Sequence, residues 1–316
     1  MKTKKLSIKE QIHKFETDGV TFNFISKEEA EKILTTKVYF FKLKVFEKAF
    51  EKNTATNKYL RLDFKNLIDL FDLDCMLKKF ILDLSITVEH NLKLRLINKV
   101  TNNPLEDGKT IAERFLEDHP DISLELNDRA YHSDLIAKYK GNWTIWSLCE
   151  VLSLRSFGKL YTFYLNNYPD RNDNLIVDLF YPLRFLRNGA AHNLCLLSSI
   201  RVPFKLTEHE KNSCGEIVPT KRLLTYLNNA DRNHNKSLSI SNEAKKNILK
   251  NPLVHDFVAS LVLFKISCDN SETTERIRLS LKQLISDFSK YHTYINNDSK
   301  FSSTFNLIIN TVDFLF

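Results

Sequence analysis

The chain has 316 residues, 43% of them hydrophobic, and a formal net charge of +7. That length allows one large domain or two modest ones with a true core, and the charge permits a polyanion partner without demanding one. Six glycines and seven prolines against 23 phenylalanines and 11 tyrosines favour long helices over a loop-rich sandwich.

Neither G-x-G-x-x-G nor G-x-x-x-x-G-K-[ST] occurs, which speaks against Rossmann and P-loop enzymes. Cys75, Cys149, Cys195, Cys214 and Cys268 are odd in number, scattered, and include no C-x-x-C pair. They suit a reducing cytosol better than a disulfide framework or a zinc ribbon. The start, "MKTKKLSIKEQ", is charged and has no apolar stretch behind it, so it does not read as a signal peptide. The longest apolar runs, such as "FVASLVLF" at 257–264, are too short to span a bilayer. A soluble, cytoplasmic protein with no membrane segment is expected.

In chain order, residues 7–17 and 26–36 read as short helices capped by Ser7 and Ser26. Each cap has a glutamate three residues on, Glu10 and Glu29. "DGVTFNFI" between them is a turn with a short extended piece, and "VYFFKLKVFEKAF" is helical. Residues 63–100 carry the strongest signal. Leu73, Leu77, Ile81, Leu84, Val88, Leu92 and Leu96 recur at three- and four-residue steps with no Gly or Pro. This predicts one amphipathic helix about 55 Å long, with a bend placed near Ser85. Residues 101–125 are loop, short helix and loop. Helices follow at 128–140 and 144–166, the second carrying Gly158 at a close approach. "NYPDRNDN" is a linker, 175–199 a further helix, and 201–219 a polar connector. Three or four helices fill 220–316. No period of 20–50 residues repeats, which speaks against a solenoid. The expected fold is all-α, with an N-terminal helical region (1–62), a helical bundle (63–200) and a helical C-terminal extension (201–316).

"RFLRNGAAHNLCL" puts a cation, an amide, three small residues and a histidine into positions 187–192. On a helix, Asn188 and His192 share a face and Arg187 can reach the same spot. Gly189, Ala190 and Ala191 are expected to leave the surface bare for a ligand backbone. These groups suit metal-free RNA cleavage. The 2′-OH is a built-in nucleophile, an imidazole moves protons near neutral pH, and a guanidinium binds phosphate bidentately. The plain alternative is an exposed Arg and His with no role, because the spacing is weak: Arg114 to His119 repeats it in "RFLEDH", where it reads as a solvated helix end.

"RNGAAHN" is similar to the R-N-x-x-x-H motif of HEPN-superfamily ribonucleases. Four further blocks occur in the order seen in abortive-infection proteins of the AbiD/AbiF type: "LSIKEQIHKFETDGV", "EEAEKILTTKVYFFKLKVFEKAF", the 64–96 helix and "WTIWSLCEVLSLRSFGKLY". This resemblance covers about residues 5–200. It implies a HEPN-type bundle and a metal-independent endoribonuclease acting as a toxin in phage defence. It also implies a homodimer in which two motif helices face one composite cleft, and restraint by a small RNA or a partner protein. Arg187, Asn188 and His192 take the motif roles, with Glu89 supporting them. The resemblance also matches Asp74 and Glu150, both read as structural hydrogen-bonding groups, and Trp146, read as core. Glu89 has a plain alternative as the helix partner of Lys93. Lys93, Arg95 and Asn193 are expected to contact RNA. Relatives often follow the histidine with Arg and an aromatic residue, whereas "NLCLLSS" stands here, so a rival reading is a dimeric RNA-binding module that does not cut.

Other constellations are weaker. "DRNHNKSLSISN" at 231–242 lacks the glycine and the bidentate glutamate of a calcium loop. His209 and His90 lack companion ligands, so neither a metal site nor a cofactor is expected. Basic clusters at 2–5, 42–48, 93–99 and 245–250 read as solvated faces, or as an RNA track if they line the cleft.

Overall fold

A computed structural model describes residues 5–125, 132–200, 218–233, 241–295, 306, 308–313 and 315–316. Fourteen helices are named among them: α1 Ile8–Thr17, α2 Lys27–Thr36, α3 Phe40–Phe46, α4 Phe64–Thr101, α5 Thr110–Asp118, α6 Pro120–Glu125, α7 Ser133–Tyr139, α8 Ile145–Val151, α9 Leu154–Asn167, α10 Asn174–Ala191, α11 Val218–Asn233, α12 Asn242–Ile248, α13 Pro252–Ser267 and α14 Ser271–Ile295. No strand occurs among the described residues. Two isolated bridges occur among the described residues, of which Thr21 with Asp63 absorbs the short extended piece. The fold is all-α.

Local chemistry explains most of the boundaries. Ser7 begins α1 with a full capping box to Glu10, while Ser26 caps α2 through the Glu29 amide alone. The long helix α4 runs uninterrupted for 38 residues and buries the predicted leucine stripe. The helix expected at 144–166 is two helices. Leu152 is extended, and Ser153 restarts the chain as the N-cap of α9 by accepting from the Ser156 amide. Part of the helix expected at 128–140, residues 201–217 of the connector expected at 201–219, His209 and most of the loop at 231–242 lie outside the described residues; Val218 and Pro219 already belong to α11.

The chain divides into two compact units that do not follow the chain-order division expected from sequence. One comprises Met1–Leu82, Leu186–Val258 and Arg276–Phe316; the other comprises Asp83–Phe185 and Ala259–Glu275. In the first, Phe15 packs edge-on against Phe40 and Phe64 with ring centroids 5.0 and 5.5 Å apart, and Phe80 meets Phe257. In the second, Phe180 is bracketed by Phe157 and Tyr161 at 5.8 and 5.5 Å. Edge-to-face packing of this kind adds to the area buried by the rings. Helix α13 is apolar on nearly every side, as a helix surrounded by others must be.

Trp146 departs from its expected core position. It is exposed, and its ring lies against Gly108, where a Cβ would sit 2.4 Å from a ring carbon. A residue at φ +75° with no side chain is what lets the indole lie there. Among the described residues no helix is long and apolar enough to cross a membrane.

Candidate functional site

Helix α10 ends earlier than its apolar pattern suggests. His192 still donates its amide to the Asn188 carbonyl, but Asn193 takes a left-handed backbone with φ +53°. The Asn193 amide then bonds the Ala190 carbonyl, and the Leu194 amide bonds the Gly189 carbonyl. This paired pattern is a Schellman cap, and asparagine is among the few side chains that tolerate its left-handed position. The polar run that interrupts the apolar stretch is therefore, first of all, a helix terminus. His192 sits on the cap residue and is exposed.

Only one of the three small residues bares the surface as expected. Ala191 is exposed, but Gly189 and Ala190 are buried, and a Cβ on Gly189 would lie 2.9 Å from a terminal methyl of Leu196. Their size lets the chain fold back under the helix end rather than admitting a ligand from outside. Arg187 is exposed and donates through Nη1 to the Asn188 side-chain oxygen at 3.2 Å. The cation and the amide are thus coupled, with the imidazole one turn along.

The segment behind His192 is held from three sides by side chains of the same unit. Lys42 of α3 donates to the Asn193 carbonyl at 2.6 Å, and Lys78 of α4 donates to the Asn193 side-chain oxygen. Lys78 also pairs with Asp74 at 2.8 Å, and Asp74 accepts the Leu197 amide at 2.9 Å. Asn251 donates to the carbonyls of Ser199 and Ile200. Lys42, Lys78 and Asp74 are 3%, 5% and 0% exposed. Burial pushes the Asp74 carboxyl up against the pull of Lys78 and the Leu197 amide, and it lowers Lys42, with the nearby Lys78 acting in the same direction. Charges this deep persist only when paired and hydrogen-bonded, so the cluster is a rigid mount for the helix end.

Sequence reasoning read Lys42 as part of a solvated basic face and did not single out Lys78. Two charges four residues apart in the apolar run "LFDLDCMLKKFIL" were the available signal. Asp74 has the structural role expected of it. Asn193, expected to touch RNA, gives its side-chain oxygen to Lys78.

The remaining expected residues lie in the other unit. Glu89 pairs with Lys93 at 2.9 Å, and Lys93 also lies 5.9 Å over the Phe157 ring. Arg95 reaches Asp173 Oδ1 with Nε at 3.1 Å and Nη2 at 2.7 Å. Asp173, fully buried, also accepts from the Tyr161 hydroxyl at 2.6 Å and pairs with Lys99 at 3.1 Å. Burial alone would raise its carboxyl; the Arg95 and Tyr161 hydrogen bonds outweigh that and hold it below the usual range. Glu150, read as a hydrogen-bonding group, is exposed and bonds nothing among the described residues. The Arg114–His119 copy of the motif is a helix end with Arg114, Glu117 and Asp118 exposed, and the half-buried His119 ring lies 4.7 Å from that of Phe115. Among the described residues no three His, Cys, Asp or Glu side chains converge as a metal site would need.

Fold and site together define an all-helical protein with an exposed Arg-Asn…His group on a capped helix end. The family described as Abi-like protein matches residues 32–198, more than half of the chain and the whole of that group, and the protein belongs to it. No curated protein and no solved structure matches the chain.

Proposed function

We propose that the protein is a metal-independent endoribonuclease of the HEPN type, acting as an abortive-infection effector against phage. One observation carries the reading. Arg187 and His192 are both exposed at the end of one helix, and Asn188 holds the guanidinium through its side-chain oxygen. The buried mount behind His192 fixes that helix end, which is the preorganisation a site needs.

In the reaction, the imidazole of His192 takes the 2′-OH proton while that oxygen attacks the adjacent phosphorus. Arg187 neutralises the charge that builds on the phosphorane. The 5′-oxygen leaves with a proton, which the His192 of a second copy supplies when two motifs face one cleft. The products are a 2′,3′-cyclic phosphate and a 5′-hydroxyl. Restraint in the host, by a small RNA or a partner protein, belongs to the same reading.

The test is cleavage of RNA in EDTA by the wild type, His192→Ala and Arg187→Ala. A loss of about 10²–10⁴-fold is expected for the histidine variant. Equal cleavage by all three ends the reading. A second reading, a dimeric RNA-binding module without cleavage, is favoured by the His192 imidazole having no hydrogen-bond partner among the described residues to orient it. Tight RNA binding with the RNA left intact selects it.

A further inference from the structure

Helices α9 and α10 approach closely at Gly158, where a Cβ would lie 3.3 Å from the Phe180 ring. A cleft of about 310 Å³ opens beside this contact, within one compact unit. That volume is at the lower end of sites for small organic ligands, the scale of a single nucleotide. Its floor is apolar, built from Leu154, Val177 and Phe180. Arg155, Lys159 and Arg184 line it, and no carboxylate among the described residues does.

These three cations are unequally committed. Asp121 answers Lys159 at 2.8 Å. Arg155 is exposed and has no ion-pair partner among the described residues. Arg184 lies over ring faces instead, 4.9 Å from the centroid of Tyr181 and 5.4 Å from that of Phe185. Tyr181 and Phe185 are 47% and 48% exposed, with ring centroids 4.3 Å apart. An apolar floor, two part-exposed rings that already carry the Arg184 guanidinium, and two guanidinium groups not matched by carboxylates among the described residues form a combination that stacks a base and neutralises its phosphates. A duplex keeps its bases stacked inside and cannot use the rings, so the geometry favours a single strand.

We propose that this cleft is a binding subsite for single-stranded RNA. It seats one splayed nucleotide, with the phosphates on Arg155 and Arg184 and the base against Tyr181. The proposal rests on RNA being the ligand, as in the functional reading above, but not on cleavage. The probe is a short fluorescent 2′-O-methyl oligouridine, which keeps base and phosphate but lacks the free 2′-OH a nuclease needs. Its affinity for the full chain is measured by anisotropy over a range of salt.

Arg155→Glu combined with Arg184→Glu is expected to weaken binding at least tenfold. The double variant should also flatten the log K against log salt slope by about 1.4, two single-strand phosphate contacts. Tyr181→Ala should weaken binding about five- to hundredfold. Arg155→Gln, with a thermal melt matching wild type, controls for folding and should move affinity in the same direction. Unchanged affinity and slope in the double variant overturn the proposal, as does an absence of binding by wild type or displacement by an acidic peptide alone. Variants that bind and cut like wild type would sink the cleft and spare the nuclease. Loss of binding in the variants, with no RNA cut by any form, would do the reverse.

Discussion

Lys78 donates its ammonium to the side-chain oxygen of Asn193, 115 residues further along the chain. The same ammonium pairs with Asp74, so one buried cation ties the long helix α4 to the turn that ends α10. Lys78→Met would leave the Asp74 carboxylate buried with the Leu197 amide as its hydrogen-bond donor and no paired cation beyond the more distant pull of Lys42. Breaking one side of such a pair costs about 3–5 kcal/mol. The double variant Asp74→Asn with Lys78→Met should lose less than the sum of the two single changes. Denaturant melts of all four forms measure that coupling. A strictly additive cycle would mean that the pair does not hold the turn.

Asn193 combines two demands, a left-handed backbone and an acceptor for Lys78. Asn193→Gly keeps the first and loses only the acceptor, so its cost should be about 1–3 kcal/mol. Asn193→Val fails both and adds about 1–2 kcal/mol of backbone strain. Thermal unfolding should therefore rank wild type above Asn193→Gly above Asn193→Val.

Two glycines respond oppositely to alanine. At Gly108 a Cβ would strike the Trp146 ring at 2.4 Å on a backbone with φ +75°. Gly108→Ala should cost about 2–4 kcal/mol from strain and overpacking together. At Gly189 the obstacle is the movable end of Leu196, and alanine gains helix propensity. Gly189→Ala should stay within about 1 kcal/mol of wild type, read from the same denaturant melts.

Acid should weaken the unit that contains Asp173. Its folded carboxyl sits below the ordinary value of 3.8, because Arg95, Tyr161 and Lys99 outweigh its burial. The stability this contributes is fully present above 3.8 and is lost as pH falls through the lower folded value. Asp173→Asn should lower stability near neutrality by several kcal/mol, about 3–5 on the scale of broken buried pairs. It should also flatten the acid limb of melting temperature against pH. An acid limb as steep as that of wild type would show that Asp173 does not drive it.

Much of the local structure was legible from residue order alone. Ser7 with Glu10 marked the first helix start, and the leucine spacing of 73–96 marked the long helix. These signals are local: a cap bonds an amide three residues away, and a stripe repeats within two turns. The Arg187–Asn188–His192 group was also visible as a run of neighbours, and the match over 32–198 places the chain in its family.

The end of α10 and the fate of the charges were not legible in this way. A helix pattern that continues through Leu194 and Leu196 cannot reveal that Asn193 turns left-handed. The acceptors that reward that turn sit on Asn193 itself, while their donors come from Lys42 and Lys78, more than a hundred residues away. The Glu89–Lys93 pair was visible at its i,i+4 spacing, but Arg95 and Lys99 looked like a free basic face until Asp170 and Asp173 were found against them. Composition and periodicity determine which segments become helices, because those energies are set within a few residues. Which charges stay open to a polyanion is decided by tertiary contact, because a charge is freed or neutralised only by what packs beside it.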